Sequence, residues 1–85
     1  MSCTIVSNNI PSPEVRKAVS QAISNGIGGR SGEWKVIVYQ APDYPEFAVK
    51  IDGPKGLRWS WTFRAQEQAP EFIQKRVAQA ILAQL

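Results

Sequence analysis

The sequence predicts an α+β domain of order αβββα, in which two amphipathic helices bracket a three-stranded antiparallel meander and both pack on one face of its sheet. Three observations predict it. The run Arg58-Trp59-Ser60-Trp61-Thr62-Phe63-Arg64 alternates large aromatics with polar or cationic residues, the period of a strand whose two faces differ. Segments 34–40 and 47–52 alternate in the same way and are joined to each other and to the aromatic run by short turn-forming stretches. Before and after the strands, apolar residues recur at three-and-four spacing, which gives each end of the chain a helical stripe.

The first helix is expected to open at Ser12-Pro13-Glu14, an N-cap, a first-turn proline and an acid at the positive end of the dipole. Val15, Ala18, Val19, Ala22 and Ile23 form its stripe, and Asn25-Gly26 supplies a stop, because both tolerate the left-handed backbone that ends helices. The glycine-rich stretch 26–32 leaves a helix and enters a strand. It lacks the order and the Gly-Lys-Ser/Thr ending of a phosphate loop, so it reads as a connector.

Strands over 34–40, 47–52 and 57–64 follow. The linkers Ala41-Pro42-Asp43-Tyr44-Pro45-Glu46 and Asp52-Gly53-Pro54-Lys55-Gly56 are short enough to join antiparallel neighbours. Parity places Trp34, Val36, Val38, Phe47, Val49, Ile51, Trp59, Trp61 and Phe63 on one apolar face for the helices to cover. Burial of each is worth about 1.5–3 kcal/mol, so the tryptophans are expected to serve folding rather than base stacking. The aromatic run is expected to be a sheet edge. The second helix begins at Pro70, with Phe72, Ile73, Val77, Ala80, Ile81 and Leu85 on its stripe and Leu82 off it as a small apolar spot.

Eighty-five residues, 44% of them hydrophobic, suit a single domain over 1–85 with one core. No apolar stretch approaches the roughly 18–20 residues of a membrane span, and the start of the chain lacks the charged-then-apolar order of a secretory signal. A cytoplasmic protein without membrane contact is the expectation. Cys3 is the single cysteine and there is no histidine, so neither an intramolecular disulfide nor the usual zinc ligand sets can be assembled. The commonest general acid–base residue is missing as well, and the carboxylates sit at turns and helix ends. The chain is therefore expected to be no enzyme and to need no metal or cofactor.

Element order and local sequence resemble the double-stranded-RNA-binding domain. Pro42-Asp43-Tyr44-Pro45-Glu46-Phe47-Ala48-Val49-Lys50-Ile51-Asp52-Gly53 looks like that family's stretch leading into and through its second strand. The resemblance implies a minor-groove contact from the loop, with Tyr44 near the family's usual histidine, and a supporting contact from Arg16 and Lys17 on the first helix. Where the family grips phosphates with a lysine cluster at the second helix, this chain has Glu67, Gln68, Ala69, Pro70 and Glu71. The resemblance thus implies the fold without the phosphate grip.

Two functions follow as expectations. The first is a binding module for another protein or for a second copy, acting through the open sheet face, where Lys35, Ile37, Tyr39, Lys50, Arg58 and Arg64 combine aromatic, apolar and cationic groups. The alternative is weak, salt-sensitive RNA binding, with Arg16, Lys17, Arg30, Tyr44 and Lys55 as its residues. Ten Lys and Arg against seven Asp and Glu give a net charge of +3, and the bases are dispersed, so charge alone favours RNA only slightly.

Overall fold

Four strands, not three, make the sheet, and the chain starts with a strand rather than a helix. The computed structural model describes residues 2–84 and gives the order β1 (Ser2–Asn8), α1 (Pro13–Ile27), β2 (Glu33–Gln40), β3 (Phe47–Asp52), β4 (Arg58–Phe63) and α2 (Pro70–Gln84). Sheet order follows chain order, β1-β2-β3-β4. β2, β3 and β4 form the expected antiparallel meander, while β1 lies parallel to β2 on its outer side.

This corrects the αβββα expectation to βαβββα. A parallel neighbour needs a crossover of a dozen or more residues, and the fifteen-residue α1 supplies it. Thr4-Ile5-Val6 is the β-branched core of β1 and carried the local signal. Cys3 and Ile5 are the only apolar residues of the strand packed against the helix-side core, opposite Trp34 and Val36, so its apolar alternation is too short to stand out. A bulge between Ile5 and Ser7 then shifts the register and leaves Val6 55% exposed.

α1 is capped as expected. The Ser12 hydroxyl accepts from the Val15 N–H at 3.3 Å, and Pro13 opens the helix. It does not stop at Asn25-Gly26: helical structure runs to Ile27, and Gly28, at φ 67°, is the cap, its N–H donating to the Ser24 carbonyl at 3.0 Å. Before the helix, Asn8 acts as a clamp. Its amide donates to the Arg16 carbonyl and the Ser20 hydroxyl, and its Oδ1 accepts from the Ile10 N–H.

Both helices lie on one sheet face and pack on each other. Val19, Ala22, Ile23 and Ile27 of α1 and Ile73, Val77 and Ile81 of α2 meet Trp34, Val36, Val38, Phe47, Val49, Ile51 and Phe63 in one core. Val15 and Phe72, assigned to the stripes from spacing, are exposed at the helix starts, and Leu85 lies outside the described residues. The nine-residue buried face is also corrected. Seven of the nine are buried, Trp59 is half-buried, and Trp61 is 37% exposed, because β4 is the last strand and has a neighbour on one side only. No helix among the described residues is long and apolar enough to cross a membrane.

Candidate functional site

The cross-strand register draws the open sheet face in rows. Thr4, Lys35, Asp52 and Arg58 form one row, and Ser7, Ile37, Lys50 and Ser60 a second. Tyr39, Ala48 and Thr62 form a third. The sheet thus brings together five of the six partner-binding candidates: Lys35, Ile37, Tyr39, Lys50 and Arg58 all point away from the helices and are exposed. Tyr39 is the most exposed of the apolar pair, with small Ala48 and Thr62 beside it. Arg58 meets Asp52 at 3.8 Å, a loose surface pair that halves the row's positive charge. Arg64, the sixth, stands just past the strand, where its N–H donates to the Glu67 carboxylate at 3.0 Å and starts the short turn into α2.

The five RNA-binding candidates divide between the two ends of the strands. Arg16, Lys17 and Tyr44 belong to one end, where the β1–α1 connection meets the β2–β3 loop: Asn9 exchanges hydrogen bonds with Gln40, and Gln40 donates to the Tyr44 carbonyl. Arg16 is already engaged, its guanidinium donating to the Ile10 carbonyl at 3.3 Å. Tyr44 is exposed, held by a turn in which Asp43 takes a left-handed backbone at φ 68°.

Arg30 and Lys55 lie at the other end and line one open cleft with Ser31, Pro54 and Gln84. Both helices finish there without a basic residue in their last turns. The two cations therefore stand near the negative ends of both helix dipoles, which is sufficient electrostatic reason for their placement.

The margin of β4 differs from the rest of the surface. The Gly53 N–H donates to the Leu57 carbonyl at 2.9 Å, which sets the phase of the β3–β4 ladder. Trp59, Trp61 and Phe63 bond back to β3, and the backbone groups of Arg58, Ser60 and Thr62 point outward. Gln84, from the end of α2, donates its side-chain amide to the Arg58 carbonyl at 3.1 Å. Ser60 and Thr62 keep their outward N–H and C=O groups without a strand partner among the described residues.

Beside them, the Arg76 guanidinium lies 4.5 Å from the centre of the Trp61 ring and 5.7 Å from that of Phe72. Each such stack is worth about 0.5–2 kcal/mol. Arg76 Nε has no hydrogen-bond partner. Phe72 in turn meets Phe63 edge-on at 6.3 Å, so this outer cluster is rooted in the core. Phe72 and Arg76 were not among the sequence candidates. Their four-residue spacing marks one helix face, but which strand lies beneath that face is a tertiary fact.

β1, the opposite margin, offers less. Its bulge interrupts the ladder, and Asn9 closes the end of the β1–β2 ladder through its side chain. Cys3 faces α1, where burial pushes its thiol above the ordinary range and a hydrogen bond with Ser24 works the other way, so it is no activated nucleophile. No group of three or more His, Cys, Asp or Glu among the described residues is placed to hold a metal ion. No protein-family model matches the chain, and no curated protein or solved structure matches it either.

Proposed function

We propose that this protein is a small non-enzymatic binding module whose partner is another protein, taken up along the β4 margin. One observation carries the reading: Ser60 and Thr62 hold unpaired strand groups directly beside the exposed Trp61–Arg76–Phe72 cluster. An added strand satisfies those groups, and side chains on its helix-side face meet aromatic and arginine surface, the residue types that dominate binding energy at interfaces. On the open face Arg58 belongs to this strand and Lys50 to its neighbour β3, with Lys35, Ile37 and Tyr39 one strand further away on β2.

Thr62→Pro tests the reading. It removes an outward N–H while leaving the β3–β4 ladder bonds in place, as proline is tolerated on the solvent side of an edge strand. Selection from a displayed peptide pool against the wild-type protein should enrich sequences that lose binding to Thr62→Pro and keep it with Lys17→Ala. Enriched peptides indifferent to Thr62→Pro would overturn the assignment.

A second reading, weak and salt-sensitive RNA binding, draws on the gathering of Lys17 and Tyr44 at one end, as the double-stranded-RNA-binding resemblance implies. Glu14, Glu67 and Glu71 open the helices near that end and weaken it. Titration with duplex and single-stranded RNA at two salt concentrations separates the readings: amide shifts at Lys17 and Tyr44 that vanish with salt favour RNA.

A further inference from the structure

We infer that the β4 margin selects an extended peptide in which acidic and apolar residues alternate, in preference to a second copy of this chain. The inference rests on the strand-addition reading above and specifies the chemistry of the partner.

Charge decides between the two occupants. Three arginines border the margin: Arg58 and Arg64 at the two ends of β4 and Arg76 over its middle. Two carboxylates lie close to them. Asp52 pairs loosely with Arg58, whose side chain is 82% exposed, and Glu67 is engaged by the Arg64 N–H. No carboxylate forms an ion pair with Arg64 or Arg76 among the described residues.

Two copies joined antiparallel through β4 align these groups against themselves. With Trp61 on the two-fold axis, Arg58 of one copy falls opposite Arg64 of the other, a like-charge pair across the strands. Moving the axis to Ser60 needs the Arg58 carbonyl that Gln84 occupies, and moving it to Thr62 needs the Arg64 N–H and carbonyl that Glu67 already engages. In each register both Arg76 side chains approach one seam, and each copy brings a net charge of +3. A second copy is therefore a poor occupant.

An alternating peptide meets both faces of β4. Its apolar residues all fall on one face and contact the exposed parts of Trp61 and Phe72 on the helix side. Its acidic residues all fall on the other face and reach Arg58 and Arg64 on the open side. Its backbone supplies partners for Ser60 and Thr62.

The test uses the full chain and three short synthetic peptides in which valine alternates with glutamate, with threonine or with lysine, followed by amide shifts and tryptophan fluorescence. The glutamate peptide should bind at least about tenfold more tightly than the threonine peptide, with shifts centred on Ser60 and Thr62, and the lysine peptide should not bind. Arg58→Gln should remove most of that preference, whereas Arg76→Gln, on the opposite face, should leave it. The Arg58 side chain is 82% exposed, so its substitution disturbs no core packing, and raised salt should have the same effect as Arg58→Gln.

Equal binding of all three peptides, lost in Thr62→Pro, would overturn the charge selectivity and leave strand addition standing. Binding indifferent to Thr62→Pro, or none at all, would overturn both. Sedimentation of the free protein as a dimer that Thr62→Pro dissolves would assign the margin to a second copy, and shifts at Ser60 and Thr62 produced by single-stranded RNA but not by peptide would assign it to nucleic acid. Either result overturns the inference.

Discussion

Gly26 of α1 lies so close to Val77 of α2 that a Cβ built on the glycine would stand 2.8 Å from the valine Cβ and 2.8 Å from the Gln74 carbonyl oxygen. The two helices meet through this missing side chain. Alanine normally stabilises a helix interior relative to glycine by about 0.5–1 kcal/mol. Gly26→Ala should reverse that sign and cost about 1–3 kcal/mol, since backbone as well as side chain must give way. Urea denaturation checks it, and an unchanged or raised midpoint would contradict the close approach.

Phe63 and Trp61 are two residues apart on one face of β4 and should respond very differently to truncation. Phe63 is fully buried between Phe47 and Phe72, with ring centres 5.6 and 6.3 Å away, and Phe63→Ala should cost about 3–5 kcal/mol. Trp61→Ala removes a partly exposed ring and one cation–π stack, and about 1–2 kcal/mol is expected. Thermal unfolding of the two variants side by side distinguishes them. Equal losses would mean that Trp61 is part of the core.

The Asn8 clamp joins β1 to α1 through two hydrogen bonds at 3.2 and 2.9 Å, and a third at 3.1 Å holds Ile10 in the connection between them. Asn8→Ala should destabilise the protein by about 1–3 kcal/mol, the loss expected when partly buried backbone and hydroxyl groups are left without a partner. Faster amide exchange should appear first at Ile10, whose N–H Asn8 accepts. Uniform protection in the variant would show that β1 is held by its ladder alone.

Cys3 gives the protein an alkaline sensitivity. Its thiol titrates above the ordinary range because burial disfavours the thiolate, so the folded state holds the proton more firmly than the unfolded state. The associated stability is present in full below the ordinary thiol pKa and is lost as pH rises through the folded-state value. Between neutral pH and about pH 10, the wild type should lose more stability than Cys3→Ser. Parallel pH profiles for the two proteins would contradict this.

The meander was legible because each of its strands has at least three inward-facing large residues, and the turns carry proline, glycine and aspartate at short spacing. β1 was not legible as part of the sheet. Its neighbour lies a whole helix away in sequence, and Cys3 and Ile5 are the only apolar residues that mark its inner face. Asn25-Gly26 misled for a related reason: a glycine that permits a helix to end also permits two helices to touch, and only Val77 tells which. Of the candidate site, the shared face of Lys35, Ile37, Tyr39, Lys50 and Arg58 could be read from period-two alternation. The meeting of Trp61 with Phe72 and Arg76 joins residues on different elements and depends on how α2 settles on the sheet.

The bulge at Val6 has a consequence for stoichiometry. A sheet with two regular margins can be extended at both and so can propagate into filaments, each unit a template for the next. In this protein the ladder runs unbroken to one margin and is kinked at the other, with Val6 turned out of register. Were a strand to add at β4 as proposed, the kinked β1 margin would offer no regular ladder for a further addition, and the bulge would act as a chain stopper that keeps the assembly finite.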